Sequence, residues 1–430
     1  MANSDTLNIT ENPIIDESIE KFEYHEYSPK IANFDNPGTE ISITINEESL
    51  FTLPSEAYIL IEGRLLKADG TSYANADAVT LINNGLMYLF TRAEYQLSGQ
   101  SIENINYLGR ATTMLGLLKY PNYFQNVQGM NQLWFRDSST TAAIATNLGF
   151  QARQSYLIQE PNAKGKFSFC VPLKHIFGFC DTYDKVIFGL KHTLTLIRES
   201  DNNAIFKGTG VAVGQVNLTK VSLFMPHVTP SLEYEKILKD IIKSKKTLPL
   251  SYIGRQCEST NVDPVTDFNW TLNITTTSTK PRFIIIGFQT NKNNNQEQNP
   301  AIFDHCDLKN MYIKLNSRSY PEFVNYNLSF PDQKFSRAYR DATLFTEKLY
   351  GLNEFISQCN INPQDYKNLY PLFVFDVSKQ MEVTKPSIID VQFNATFNTA
   401  VPPNTMIYAV ILSDRIGQLN ADGSKLQYIY

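Results

Sequence analysis

Charge is scarce in this chain of 430 residues: Asp, Glu, Lys and Arg make up only 19%, below the roughly 25% usual for globular proteins. The formal net charge of -5 supplies no basic footprint, so direct nucleic-acid binding is not expected. The densest basic cluster, Lys243, Lys245 and Lys246, falls at the end of a predicted helix, where cations complement the helix dipole. Cysteine is sparse and odd in number, with Cys170, Cys180, Cys257, Cys306 and Cys359 widely scattered. No disulfide framework is implied, and no basic-then-apolar signal follows Met1, so the expectation is reduced thiols in a protein made in the cytoplasm or nucleus and not secreted. On that reading the Asn-X-Ser/Thr sites at Asn217, Asn269, Asn273 and Asn394 carry no glycan. The longest apolar runs, residues 283–288 and 406–412, fall far short of the roughly 18 residues of a membrane span.

Motifs of catalysis and cofactor binding are missing as well. Asp304, His305, Cys306 and Asp307 are four ligand types in a row, but a strand would turn Asp304 and Cys306 to one side and His305 and Asp307 to the other, away from a common ion. Cys170, His175 and Cys180 sit among Phe167, Phe169, Phe177 and Phe179, which reads as core. The glycines Gly208, Gly210 and Gly214 imitate a dinucleotide loop but are spaced one residue too far and lead into a strand. No nucleophile elbow, zinc-protease pair or phosphate loop is present. The expectation is a protein that is not an enzyme and holds no cofactor and no metal. Of the two tryptophans, Trp270 alternates with Leu272 and Ile274 and is expected in a core.

Present instead are 27 Phe and 23 Tyr, residues that favour strands, and a succession of elements that recurs in each half. A proline introduces an apolar strand at Pro54 and again at Pro281. An alternating strand then closes on a polar turn at Ser98-Gly99 and at Asn316-Ser317. Helical stretches follow over residues 107–119 and 335–350, and a long alternating strand comes next, through Leu194 and through Phe393. Period-two alternation marks strands with one face on a core and the other toward water, so each half reads as a β-sandwich. The length itself calls for two domains.

Between the halves, Pro230 opens a predicted helix in which Tyr234, Ile237, Leu238, Ile241 and Ile242 recur at helical spacing. Its apolar stripe is expected to cover the junction of two rigidly paired sandwiches. Residues 1–38 are polar and broken by Pro13, Pro29 and Pro37, which predicts an arm that orders only against a neighbour. Residues 291–299, rich in Asn and Gln, read as a surface loop. The first half also carries an excursion, residues 121–166, with no counterpart in the second. Long insertions of this kind are commonly functional or form interfaces.

Several stretches carry a family likeness: Leu53-Pro54-Ser55-Glu56-Ala57-Tyr58 through Glu62-Gly63, Phe167-Ser168-Phe169-Cys170-Val171-Pro172-Leu173, Arg198-Glu199-Ser200-Asp201-Asn202-Asn203-Ala204-Ile205, Met225-Pro226-His227-Val228, Phe303-Asp304-His305-Cys306 and Tyr370-Pro371-Leu372-Phe373-Val374. In these the sequence resembles the double jelly-roll major capsid proteins of adintoviruses and Polinton-like elements, including copies integrated in invertebrate genomes. The resemblance implies an all-β chain of two tandem jelly rolls with a few short helices: an arm (1–38), a first roll (39–228), a linker helix (229–246) and a second roll (247–430). It also implies a homotrimer presenting six rolls as a pseudo-hexagonal tile of an icosahedral shell, with penton and minor capsid proteins as further partners, and it brings no catalytic residues. The trimer contact is expected in the excursion, at Trp134, Phe135 and Phe150. The rival readings are a host-domesticated structural protein of the same fold and a lectin-like binding protein.

Overall fold

The computed structural model describes residues 17–430 except 47–48, 163, 274–279, 323–324, 353–358, 360, 381–388, 423–425 and 429–430. Alternating residues form sixteen principal strands, eight in each half. In the first half these are β1 (Ile19–Tyr27), β2 (Glu40–Ile45), β3 (Tyr58–Lys67), β4 (Phe90–Leu97), β5 (Gln100–Asn106), β6 (Lys166–Pro172), β7 (His192–Arg198) and β8 (Gly214–Pro230). They pair antiparallel in two sheets, in the orders β1-β8-β3-β6 and β2-β7-β4-β5. The second half repeats the scheme with β9 (Thr247–Val262), β10 (Asp267–Leu272), β11 (Lys280–Thr290), β12 (Leu308–Leu315), β13 (Arg318–Tyr320), β14 (Phe373–Asp376), β15 (Val391–Phe397) and β16 (Thr405–Asn420). Its sheets run β9-β16-β11-β14 and β10-β15-β12-β13. Numbered within each half, both are 1-8-3-6 against 2-7-4-5, the jelly-roll order of two interleaved Greek keys.

Periodicity explains the layering. In β7, His192, Leu194, Leu196 and Arg198 are buried while Thr193, Thr195 and Ile197 are half-buried, and β15 repeats this from Val391 to Phe397. Inward residues of the facing sheets, such as Ile59, Ile61, Tyr95 and Leu194, meet in a core of the kind two inner sheet faces make. Helices α1 (Leu108–Lys119), α2 (Leu148–Gln154), α3 (Gly178–Thr182), α4 (Leu232–Lys243), α5 (Ser336–Thr343), α6 (Phe345–Tyr350) and α7 (Pro363–Asn368) fill the connections.

Three expectations need correction here. The segment expected as an arm is not free: residues 19–27 are β1, the first strand of the first roll, hydrogen-bonded along β8 from Tyr27↔Leu223 to Ile19↔Pro230. Its exposed glutamates and lysine hid it, because an edge strand with both faces near water lacks a clear buried-face alternation; residues 1–16 lie outside the described residues. The stripe of α4 does not cover the junction. None of its side chains is buried, and Tyr234 and Ile237 are 47% and 51% exposed. The Asn-rich tract is not a free surface loop: Lys292, Gln296 and Asn299 are buried, and the Gln296 amide both donates to and accepts from the backbone of Gly214 at 2.8 Å. Lys207 pairs with Glu297 at 2.8 Å and Asn202 with Asn294 at 2.9 Å, so the tract clasps the second roll to the first.

Candidate functional site

The residues that carry chemistry converge on the junction of the rolls. β9 lays its Arg255 across the end of the first roll, where the guanidinium donates to the carbonyls of Lys174, His175 and Ile176 at 3.3, 3.1 and 2.8 Å and to the Asp181 carboxylate at 2.7 Å. Asp181 also accepts from Lys119 and from the Tyr350 hydroxyl, each at 2.7 Å. Glu103 of β5 is buried and accepts three backbone N–H groups, those of Gly178 and Phe179 at 2.9 Å and of Arg255 at 2.8 Å. Nearby, the Tyr252 hydroxyl donates to the Ile102 carbonyl at 2.8 Å, and the Ile253 N–H donates to the Thr182 hydroxyl at 3.0 Å.

The electrostatics follow from burial and pairing. Burial pushes the Glu103 carboxyl up against the pull of Arg255 and the three N–H donors. At Asp181 the penalty of burial is overridden by Arg255 and Lys119, which hold the carboxyl below its usual range. Burial beside Arg255 brings Lys119 down to about 8 even though Asp181 opposes the shift. Burial among Lys119, Arg255 and Lys174 drives His175 down to about 3, and its Nδ1 meets the Gln132 amide oxygen at 2.7 Å. Every group has a partner within the chain, so this arrangement locks two domains in one relative pose.

The candidate metal cluster takes a different shape from the strand assumed for it. Asp304 makes an isolated bridge to Phe288, after which the chain turns sharply with φ of 47° at Cys306 and 50° at Asp307. The Asp304 carboxylate is taken by Lys292 at 2.7 Å and by the Thr290 N–H at 2.8 Å. His305 accepts the Asp307 N–H at Nδ1 and stacks on Phe330. Among the described residues no group of three or more ligand side chains converges. Cys180 is buried, with its thiol pushed up by burial, and all five cysteines are free thiols.

The expected contact residues of the excursion are placed elsewhere. Trp134 is 2% exposed and packs edge-on to Tyr120, and Phe150 is fully buried against Phe206. Phe135 is half-buried. These rings belong to the chain's own core, because Gly116 of α1 leaves the space that Trp134 fills and because Arg153, fully buried, anchors α2 to Asp137 at 2.7 Å and to the carbonyls of Leu81 and Phe135. The excursion instead exposes Tyr123, Val127 and Leu148. Trp270 is half-buried on β10, opposite Phe393, and Ile274 lies outside the described residues.

Residues 79–417 match the family model described as a double jelly roll-like domain. The chain belongs to that family. No curated protein matches it. The double jelly roll is similar along its length to solved viral structures: that of the Sputnik virophage (TM-score 0.60, 11% identity, covering 98% of this chain and 91% of the other), the PBCV-1 virus capsid (0.59, 12%, 98% and 99%) and the mavirus major capsid protein (0.55, 14%, 99% and 93%). At such identities the likeness is one of fold, and it covers both rolls.

Proposed function

We propose that this double jelly roll is a viral major capsid protein, assembled as a homotrimer whose six rolls make a pseudo-hexagonal tile of an icosahedral shell. The observation that carries this reading is the locked junction: the Arg255–Asp181–Lys119 cluster and the Asn-rich clasp hold two similar but non-identical rolls as one rigid body. Three such bodies imitate sixfold symmetry and can meet six neighbours, while threefold closure limits each tile. Full-length similarity to virion components supports a place in the capsid. The source is proposed as an adintovirus or Polinton-like element, with penton and minor capsid proteins as further partners. Within the shell, Tyr123, Val127 and Leu148 of the excursion are the proposed contacts, in place of Trp134 and Phe150.

Sedimentation equilibrium at micromolar concentration should give about three times the chain mass, and negative-stain images of concentrated protein should show six-lobed particles or shells. A monomer in both experiments would overturn the reading.

A further inference from the structure

The Asn-rich tract that clasps the rolls also walls a cavity. This cavity, of about 510 Å³, opens at the end of roll two where β9 and β11 finish and β16 begins, between the exposed side chains of Asn261, Asn291, Asn293, Asn295 and Asn404. Half-buried Met406 and the buried ring of Tyr408 also line it. Every residue within eight positions of these in the chain is among the described ones. Its walls are held in shape by asparagines in the left-handed region, which this residue tolerates. Asn291 and Asn404, with φ of 54° and 58°, join through a backbone hydrogen bond of 3.0 Å, and Asn294, with φ of 60°, is gripped by Asn202 and Asn203 of roll one.

Behind this wall lies a charge without a counter-charge. Arg110 of α1 is 4% exposed, and its guanidinium lies 5.6 and 5.1 Å from the ring centres of Tyr88 and Tyr408. It donates to amide oxygens, those of Gln289, Asn203 and Asn293 at 3.3, 3.4 and 3.0 Å, and makes no ion pair among the described residues. Two carboxylates in the same region are committed elsewhere, Glu199 to the Ser200 N–H and Asp304 to Lys292. A buried cation left in this way favours an anion brought from outside. The amides are oriented to receive one. Asn293 gives its Oδ1 to Arg110 and Asn295 gives its Oδ1 to the Glu297 N–H at 2.9 Å, so each keeps its Nδ2 hydrogens for the cavity. Asn293 cannot flip without turning that Nδ2 toward a cation.

We propose that this cavity binds a sugar acid, a hydroxyl-rich ring that carries a carboxylate. The carboxylate accepts from the Asn293 and Asn295 amides in the field of Arg110. Asn261, Asn291 and Asn404, whose side chains have no hydrogen-bond partner among the described residues, offer both a donor and an acceptor, which is what a ring of hydroxyl groups requires. Met406 and Tyr408 supply apolar surface for the C–H faces of the ring. The volume suits a small ligand held by a few placed polar groups, and walls already clamped to roll one lose little freedom on binding. A single chain supplies every group, so the site does not depend on the capsid reading.

Ligand-detected NMR titrations of the full chain should show saturable binding of N-acetylneuraminic acid or D-glucuronic acid, with D-glucose, which lacks the carboxylate, at least about tenfold weaker. Asn293→Asp keeps an acceptor for Arg110, supplies the missing counter-charge and removes the donor. It should cut the affinity for the acid at least about tenfold, with circular dichroism unchanged and the thermal midpoint unchanged or higher. Asn261→Ala, on the exposed wall, should weaken binding about three- to tenfold. Failure of both acids to saturate below about 10 mM, glucose binding as tightly as glucuronic acid, or a folded Asn293→Asp that binds undiminished would each overturn the assignment. Acetate binding as tightly as the sugar acids would overturn it too, by marking a bare anion site. Sedimentation of the same samples tests the capsid reading separately, and neither result decides the other.

Discussion

Arg255 and Asp181 stand 2.7 Å apart across the boundary of the two rolls, with 5% and 14% of their side chains exposed. Neither residue has a charged neighbour in sequence that announces the other. Removing one partner strands a buried charge, so Arg255→Ala should destabilise the protein by roughly 3–5 kcal/mol. Urea unfolding should then also lose its cooperativity, with roll one and roll two separating into two transitions. A single unshifted transition would show that the junction does not couple the rolls.

Close approach at the same boundary gives an independent check. A Cβ on Gly178 would lie 1.8 Å from the Ile253 carbonyl oxygen, a backbone atom that cannot swing away. Gly178→Ala should therefore cost about 3 kcal/mol by overpacking, measured as a fall in the denaturation midpoint, although Ala is the better residue in a helix. An alanine at Gly210 meets no atom within 4 Å and should show only the cost of a backbone at φ of 82°.

The two tryptophans should rank in the reverse of what their sequence settings imply. Trp134→Ala removes a buried ring that leans on Tyr120 and Gly116 and should cost roughly 3–5 kcal/mol. Trp270→Ala, on a half-buried edge strand, should cost about 1–2 kcal/mol. For the same reason, excising residues 121–166 should unfold the first roll rather than release an intact monomer, as circular dichroism would show.

Acid should destabilise the fold well before the carboxylates titrate. His192 is 1% exposed, receives hydrogen bonds or donates them at 2.9 Å with Thr52 and 2.7 Å with Tyr95, and is driven by burial down to about 3. The unfolded chain protonates this residue near pH 6.5, so between about pH 6.5 and 3 it binds a proton that the folded chain refuses. Stability contributed by the neutral ring is complete above pH 6.5 and is lost as the pH falls toward 3. Urea midpoints should drop over that window, and His192→Gln should flatten the drop even if it lowers stability at pH 7.

The repeat that was legible in the sequence lands on corresponding places. The Pro54 and Pro281 strands are β3 and β11, each the third of its roll, and the strands through Leu194 and Phe393 are β7 and β15, each the seventh. Alternation survives in these because one face is buried and the other wet. β1 was not legible, because both its faces lie near water and the pattern that betrays a strand is absent.

By itself the amino-acid sequence determined the strand-rich class, the duplication and the apolar faces, since these follow from periodicities of two and from the positions of Pro and Gly along a single stretch of chain. Tertiary structure alone decided which distant groups meet, here side chains with backbone N–H and carbonyl groups. Glu103 finds Arg255 across 152 positions and Tyr370 finds Asp137 across 233, and no local pattern encodes such pairs. The same holds for what is left uncovered: the stripe of α4 is apolar enough to predict burial, yet none of its side chains is buried, because burial depends on what the fold brings against a surface and not on the surface alone.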